Sequence, residues 1–237
     1  MSDTGRFRPA DLSAGRSMHA RKTNAKTQFD SWSRWYDRSV LQTIFFGPTH
    51  AAILDALGPL PEGAAVLDVG CGTGILAEQL LESTTAQVRG VDLSPGMVQC
   101  AEERCGRFGE RARFVVGDSE HLPFPNAAFD VVTCCHSFHH YPNQWAVVDE
   151  FARVLKPQGT LFLADADTGS FWGQRLYNGF VNWLEGGVVH CSDVRFRNLF
   201  QHAGFEMIAQ KRGGWIMPWM VNVGVRRAVA EAPRRAA

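Results

Sequence analysis

Val66-Leu-Asp-Val-Gly-Cys-Gly-Thr-Gly74 is the stretch of the chain that decides its fold. An apolar run leads into three glycines spaced by two, and a second apolar run follows from Ile75. Glycine has no Cβ, so the backbone can take a positive φ and can approach a ligand closely. The stretch therefore predicts a buried strand, a sharp turn and a helix that begins over a bound molecule.

The same stretch does not fit a nicotinamide dinucleotide. That fingerprint requires glycine at the first, third and sixth positions of the loop, and the sixth position here is Ile75. Asp68, two residues before the first glycine, brings a carboxylate near the place where a pyrophosphate would bind. A carboxylate instead suits a cationic ligand, and S-adenosylmethionine carries an ammonium, a sulfonium and an adenosine.

The composition is that of a globular protein and argues against several functional classes. The chain has 237 residues, 45% of them apolar and 20% charged, which is enough for one α/β domain. A formal net charge of zero gives no argument for nucleic acid, and no apolar run approaches the roughly 18 residues of a membrane span. The six cysteines show neither disulfide-framework nor zinc spacing, and we see no signal-peptide segment. We expect a cytoplasmic protein.

The predicted domain organisation has a single folded unit. Residues 1–26 are polar and basic and are predicted to form a flexible arm, and residues 226–237 a flexible tail. Residues 27–225 form the predicted domain, with an insertion at 170–190. The sequence gives no prediction of the oligomeric state.

Between the tails, predicted strands alternate with predicted helices. The strands cover 66–69, 87–91, 113–116, 129–134 and 160–164, and the helices cover 28–40, 48–58, 74–81, a segment from Ser94-Pro95, 145–155 and 192–203. This alternation predicts βαβ units around a parallel sheet. Residues 205–210 and 215–225 are predicted as two further strands joined by 211–214. The expected fold class is α/β: a Rossmann-like doubly wound sheet, mostly parallel, with an antiparallel C-terminal hairpin strand.

Polar residues stand at the ends of successive predicted strands. They are Asp68 with the glycine loop, Asp92, Asp118-Ser119, Cys135-His136 and Asp165. Open parallel sheets bind ligands beyond the carboxyl ends of their strands, so we expect these groups to meet. Asp92 can accept hydrogen bonds from both hydroxyls of a ribose, and Asp118 and Ser119 follow the strand beside it, where an adenine would lie. Aspartates also form turns and caps, which is the alternative interpretation of each one alone.

Five motifs in order give the chain a resemblance to a known family. They are Leu67-Asp-Val-Gly-Cys-Gly-Thr-Gly74, Val91-Asp-Leu-Ser-Pro-Gly-Met97, Gly117-Asp118 with Leu122-Pro-Phe-Pro125, Phe129-Asp-Val-Val132 and Glu150-Phe-Ala-Arg-Val-Leu-Lys-Pro-Gln-Gly159. The chain resembles class I S-adenosylmethionine-dependent methyltransferases over about residues 28–210, and within them the ubiquinone/menaquinone-biosynthesis-like small-molecule group. Gln158 departs from the pattern, because the family usually has glycine there.

The resemblance implies a cofactor, S-adenosyl-L-methionine, and a role for each matching residue. Asp68 would favour the ammonium, Asp92 would hold the ribose, and Asp118, with Ser119 beside it, would bind the adenine amino group. Further cofactor-binding residues would be Gly70, Cys71, Gly72, Gly74, Leu93, Met97 and Cys135. Tyr36 would reach the cofactor carboxylate from an N-terminal helix, or would be a half-buried amphipathic tyrosine.

Histidines after the fourth strand are candidate catalysts. Histidine titrates near neutrality and can accept a proton from a hydroxyl or an activated carbon. His139 and His140 are similar to a pair that relatives use as a base with an aspartate after the fifth strand, and Asp165 occupies that position. His136 is a weaker candidate. The alternative interpretation is that the pair caps the next helix or supports the sheet.

A metal centre is a third interpretation of this cysteine- and histidine-rich region, and we predict none. Successive side chains of a strand point to opposite faces, so Cys134 and Cys135 cannot both serve one site. No pair of candidate ligands has zinc spacing.

The predicted insertion indicates the kind of acceptor. Trp172, Leu176, Phe180 and Leu184 repeat every four residues and predict an apolar helix that is either a substrate cover or part of the core. An aromatic cover favours an apolar or aromatic acceptor over a phosphorylated one.

The expected function is methyl transfer from S-adenosylmethionine to such a small molecule by in-line displacement at O, N or C. The alternatives are a catalytically silent S-adenosylmethionine-binding regulator or partner subunit and, with less support, a nucleic-acid methyltransferase. We expect no nucleic acid as a partner and no stable membrane insertion.

Overall fold

The computed structural model describes residues 40–167, 191–214 and 218–228. Its helices are α1 (Val40–Leu57), α2 (Ile75–Ser83), α3 (Pro95–Cys105), α4 (Gln144–Val154) and α5 (Asp193–His202), with 3₁₀ segments at Gly106–Arg111 and Phe138–His140. Its strands are β1 (Ala65–Val69), β2 (Gln87–Asp92), β3 (Ala112–Val116), β4 (Phe129–Cys135), β5 (Leu155–Ala166), β6 (Phe205–Gly213) and β7 (Trp219–Arg226). None of these described helices is long and apolar enough to cross a membrane.

The described strands form one sheet in the order β3-β2-β1-β4-β5-β7-β6. Strands β1 to β5 are parallel to one another, whereas β7 runs antiparallel to both β5 and β6. The chain moves outward from β1 to β3 and then returns to the other side of β1, so the topological switch point lies between β1 and β4. The predicted fold class is confirmed, and a switch point of this kind forms a crevice for a ligand.

Two hydrophobic clusters cover the two faces of the sheet. Neighbouring strand residues separate between them: Leu67, Val132 and Leu163 belong to one cluster, and Val66, Val131 and Phe162 to the other. Helices α4 and α5 pack on the first face through Phe151 and Phe196. Helices α1, α2 and α3 pack on the second through Ile53, Leu80 and Val98. Because both faces are buried, the central strands are nearly continuous apolar runs.

Three predicted boundaries are wrong. Helix α1 begins at Val40 and runs through Pro48, so residues 41–47 are not a break. A proline removes one helical hydrogen bond, but it ends a helix only where packing does not compensate. Strand β5 begins at Leu155 because Leu155 pairs with Phe129 before the turn that contains Gln158. Gln158 has a φ of 66°, a left-handed conformation that favours the glycine usual in the family.

The third correction concerns the C-terminal hairpin. Lys211, Arg212 and Gly213 are not a turn but the end of β6, since they pair with Val221, Met220 and Trp219 of β7. The described part of the second strand begins at Trp219 rather than at residue 215, and residues 215–217 lie outside the described residues. The arm at 1–26, Tyr36 and the insertion at 170–190 also lie outside them, so these predictions are not tested.

Candidate functional site

A cavity opens at the switch point, above the carboxyl ends of β1, β2 and β4. The glycine loop after β1 forms its floor. The amides of Gly70 and Cys71 both donate to the carbonyl of Val91, at 2.8 and 3.1 Å, and tie this loop to β2. Gly70 has a φ of 68°, and a Cβ there would lie 2.4 Å from Ser137 Oγ and 2.6 Å from Tyr141 Oη. Only glycine fits at this position without displacing the wall of the cavity.

The other two glycines of the loop differ in what surrounds them. Gly72 lines the cavity, and a Cβ there would meet nothing within 4 Å, so the loop leaves open space at this point. Gly74 precedes α2 with a φ of 79°, and a Cβ there would lie 2.9 Å from Ala101 Cβ of α3. The first positions of the loop therefore shape the cavity, whereas Gly74 permits close packing of two helices.

Asp92 holds two loops in place at the end of β2. Its Oδ2 accepts a hydrogen bond from the Gly72 amide at 3.0 Å, and its Oδ1 accepts one from the Ser94 amide at 2.9 Å. Ser94 in turn caps α3, because its Oγ accepts a hydrogen bond from the Met97 amide. Each carboxylate oxygen has a second lone-pair direction, so the group can accept further hydrogen bonds from a ligand in the cavity.

Asp68 is the buried carboxyl of the site, with 2% of its surface exposed. Thr133 Oγ1 donates to its Oδ1 at 2.7 Å. Burial raises the pKa of Asp68 to about 7, and the nearby Asp92 carboxylate raises it further against the effect of the Thr133 hydroxyl. A cationic group in the cavity would reverse this preference by stabilising the ionised form.

The remaining predicted cofactor residues with described positions also line this cavity. They are Leu93, Met97, Asp118, Ser119 and Cys135. Asp118 Oδ1 accepts a hydrogen bond from the Glu120 amide at 3.0 Å, which fixes the turn after β3. Burial raises the pKa of the Cys135 thiol well above its usual value, so this side chain presents a neutral thiol to the cavity.

The candidate catalytic residues fall into two layers. His140 lines the cavity, whereas His139 and Asp165 are buried and do not line it. His139 Nδ1 lies 2.5 Å from Asp165 Oδ1, and the His139 amide donates to Asp165 Oδ2 at 2.9 Å. The ring centroids of His139 and His140 are 4.2 Å apart. Asp165 thus anchors His139, and His139 lies against the histidine that faces the cavity.

Helix α1 contributes a wall that the sequence analysis missed. Phe46 and His50 line the cavity, and neither belongs to a motif that predicts a ligand site. His136, in the turn after β4, lines it beside α1 and has a φ of 53°. Its Nε2 lies 2.9 Å from Thr49 Oγ1, and its ring centroid lies 4.7 Å from that of Phe46. The only hint of this wall in the sequence is His50, a histidine within the predicted helix 48–58.

The charged side chains that line the cavity are mainly acidic. Within the described part of the chain, its lining includes Asp68, Asp92 and Asp118 but no arginine or lysine. Burial lowers the pKa of His50 to about 4 and that of His136 to about 3, so both are neutral near pH 7. The described wall is therefore acidic on one side and neutral on the other.

Metal ligands do not converge in the described ranges, where no group of three or more histidine, cysteine, aspartate or glutamate side chains could hold an ion. Cys134 belongs to the hydrophobic cluster on one face of the sheet, and Cys135 packs against the cluster on the other. This confirms the alternation predicted for the two cysteines.

Comparison with protein families gives the same assignment as the fold. Residues 67–163 match the family model described as a methyltransferase domain, and this segment contains the glycine loop, Asp92, Asp118 and the histidine pair. Residues 67–163 are thus similar to a methyltransferase domain. Most of the cavity wall, from β1 to the turn after β4, lies inside this matched segment, whereas α1 lies before it.

Curated relatives of the matched segment are named as methyltransferases. The chain is 38% identical over 109 residues to 27-O-demethylrifamycin SV methyltransferase of Amycolatopsis mediterranei, covering 45% of this chain and 40% of that protein. It is 34% identical over 162 residues to ubiquinone biosynthesis O-methyltransferase of Xanthomonas axonopodis pv. citri, covering 62% and 64%. The chain therefore matches less than two thirds of the length of these curated relatives.

A solved structure supports the fold over most of the chain. In the complex between the Haloferax volcanii Trm112 methyltransferase activator and a methyltransferase, the matched chain superposes with a TM-score of 0.71. The match covers 84% of this chain and 98% of that one, at 22% identity. This likeness shows that the shared fold extends beyond residues 67–163.

Proposed function

We propose that the protein transfers a methyl group from S-adenosylmethionine to a small molecule with an apolar or aromatic body. The observation that carries the proposal is the convergence of Asp68, Asp92, Asp118 and the glycine loop on one cavity of a methyltransferase domain. Three carboxyl groups with no described arginine or lysine beside them suit a cationic adenosyl ligand and disfavour a pyrophosphate. The name of the Xanthomonas relative supports an oxygen atom as the acceptor.

The residues of the cavity fit the cofactor in separate regions. Asp92 would bind the ribose hydroxyls, and Asp118 with Leu93 and Met97 would hold the adenine. Asp68 would favour the ammonium, and the open backbone at Gly72 would leave room for the methionine part. When bound, S-adenosylmethionine supplies a methyl group whose carbon a nucleophile can attack, with the sulfur leaving as a neutral thioether. The chain contributes mainly by positioning the acceptor and excluding water, which is worth several kcal/mol and up to about 11 in favourable models.

A hydroxyl acceptor must lose its proton as it reacts, and His140 is the proposed base. It lines the cavity, and the neighbouring His139 lies against it. Asp165 accepts a hydrogen bond from His139 Nδ1–H and stabilises positive charge on the pair once a ring nitrogen of His140 has taken the proton. His139 and Asp165 are therefore proposed as positioning residues. His50 and His136 are poorer bases, because burial lowers the pKa of each.

Substitution of the two histidines tests this assignment. We expect His140→Gln to lower turnover by about 10² or more, because general base catalysis contributes roughly 10²–10⁴. His139→Gln should lower turnover less and shift the pH–rate profile, since it acts through His140. Affinity for S-adenosylhomocysteine, measured by titration calorimetry, should stay within about threefold of wild type in both variants. Full activity in both single variants and in the double variant would remove histidine from the mechanism.

The wild-type protein itself provides the test of function. We expect S-adenosylhomocysteine to bind and a nicotinamide dinucleotide not to bind in the same titration. Binding of the dinucleotide alone would refute the proposal. Binding of S-adenosylmethionine without methylation of any compound in an acceptor screen would favour the silent regulator.

A further inference from the structure

A single peptide group governs the direction of the histidine pair. It joins Phe138 to His139 at the start of the 3₁₀ segment. Its N–H donates to Asp165 Oδ2 at 2.9 Å, and its C=O accepts a hydrogen bond from Gln144 Nε2 at 3.3 Å. Because a peptide group is planar, two side chains that hold its opposite ends fix its rotation. His139 follows this group directly and His140 comes next, so the orientation of both rings depends on it.

The orientation of the Gln144 amide follows from its other contacts. Gln144 begins α4 and has 2% of its surface exposed. Its Oε1 accepts hydrogen bonds from Arg195 Nε of α5 at 3.0 Å and from Cys191 Sγ at 3.3 Å. Burial raises the pKa of the Cys191 thiol to about 12, so this group keeps its proton. A guanidinium can only donate, so the amide oxygen must face Arg195, and the amide nitrogen then faces the Phe138 carbonyl, which can only accept.

The two side chains connect the histidine turn to different parts of the fold. The Tyr141 amide also donates to the Phe138 carbonyl, at 3.1 Å, but this bond closes the turn on itself and does not fix it against its surroundings. Asp165 of β5 connects the turn to the sheet, and Gln144 connects it to a helix packed on that sheet. Gln144 does not line the cavity, so any effect it has on a bound molecule must pass through the turn.

We propose that Gln144 is a positioning residue for methyl transfer: with Asp165, it fixes the peptide group before His139 and so directs His140 into the cavity. The inference rests on the proposed function, in which His140 takes the proton of a hydroxyl acceptor. A base acts only within hydrogen-bond distance of the proton that it removes, so a small rotation of the turn is enough to lower turnover. Asp165 holds the N–H end of the peptide group, and Gln144 holds the C=O end.

Gln144→Glu in the full chain tests this role. A carboxylate has the shape of the amide and can still accept hydrogen bonds from Arg195 and Cys191, but it cannot donate to the Phe138 carbonyl. At pH 8, with saturating S-adenosylhomocysteine, hydrogen exchange of the His139 amide measured by NMR should be at least about tenfold faster than in the wild type. With 2-naphthol as the acceptor, kcat should fall by about tenfold or more, whereas the KM for S-adenosylmethionine should stay within about twofold.

Arg195→Met is the matched control, because it removes a contact between Gln144 and α5 but leaves the amide to donate to Phe138. Its His139 exchange rate and its kcat should stay within about threefold of the wild type. Equal effects in Arg195→Met and Gln144→Glu would overturn the proposal, since Gln144 would then serve only to pack α4 against α5.

An unchanged His139 exchange rate or an unchanged kcat in Gln144→Glu would overturn it as well. The exchange measurement needs no acceptor, so it tests the position of the peptide group independently of the choice of 2-naphthol. All of these outcomes leave binding of S-adenosylhomocysteine intact, whereas failure of the proposed function would abolish that binding in the wild type itself.

Discussion

The two sides of the cavity are built from different materials. On the proposed cofactor side, backbone amides and carboxylates from residues 70–119 hold one another, as in the hydrogen bonds from the Gly72 and Ser94 amides to Asp92. On the proposed acceptor side, larger side chains from α1 and from the turn after β4 line the cavity. Among them are Phe46, His50 and His136, and the rings of Phe46 and His136 pack against each other. A site formed by tightly held backbone tolerates almost no change of shape. In a wall of side chains, by contrast, single residues can be replaced one at a time. The first arrangement suits a ligand that is the same in related proteins, and the second suits a ligand that differs between them.

Gly70→Ala should break this comparison most strongly. The added Cβ would lie 2.4 Å from Ser137 Oγ and 2.6 Å from Tyr141 Oη, so the cofactor floor and the wall after β4 cannot both keep their positions. We expect affinity for S-adenosylhomocysteine to fall by more than about 100-fold in titration calorimetry, which corresponds to about 2.7 kcal/mol.

Gly58→Ala is the matched control for this substitution. Gly58 has a similar φ of 62°, but an added Cβ would meet nothing within 4 Å. The control should therefore show only the cost of left-handed backbone, about 1–2 kcal/mol in thermal unfolding, with unchanged ligand affinity. If Gly70→Ala binds S-adenosylhomocysteine as tightly as Gly58→Ala does, the backbone cradle is not what the cofactor side depends on.

Asp92→Ala should have the next largest effect on ligand affinity. It tests whether the proposed cofactor side depends on this carboxylate as well as on the glycine backbone. It removes an acceptor for the ribose and also releases the Gly72 and Ser94 amides. We expect at least a tenfold loss of S-adenosylhomocysteine affinity. Asp130→Ala is the control, because Asp130 accepts a hydrogen bond from the Ala65 amide and pairs with Lys156 at the opposite end of β1. It should lower the unfolding temperature without changing ligand affinity; unchanged affinity in Asp92→Ala would refute the ribose assignment.

Asp68→Asn should have the smallest effect of these substitutions. We expect it to change how thermal stability depends on pH. The pKa of Asp68 is raised from 3.8 to about 7, so the folded state favours the protonated form. Its stabilising contribution is complete below pH 3.8 and is lost as the pH rises through about 7. We expect Asp68→Asn to reduce the loss of thermal stability between pH 5 and pH 8.

Ligand binding should respond to Asp68 in the opposite sense. The ionised carboxylate attracts the ligand's ammonium, so the wild type should bind S-adenosylhomocysteine several-fold more tightly at pH 8 than at pH 5, and Asp68→Asn should not. A pH dependence of affinity that survives the substitution would assign it to another group.

The cofactor side could be predicted from sequence because its geometry is local. Asp68, Asp92 and Asp118 each end a strand, and parallel strands bring their carboxyl ends to one edge, so five short strand predictions were enough to bring them together. The acceptor side could not, since its partners come from remote segments. Which histidine of the pair faces the cavity depends on a 3₁₀ segment, Phe138–His140, that no motif specifies. His50 reaches the cavity only because α1 packs beside the sheet, while Tyr36 and the insertion remain predictions.

The hydrogen bond between Thr49 and His136 has a consequence for folding. It joins residues 87 positions apart, whereas the bond from Gly72 to Asp92 spans 20. Contacts between distant segments close larger loops and form more slowly than local ones. We therefore expect the glycine loop and Asp92 to reach their arrangement early, from neighbouring βαβ units. The wall formed by α1 and the turn after β4 should be complete only when β4 has joined the sheet and α1 has docked on it. The last part of the cavity to assemble is then the wall proposed to face the methyl acceptor.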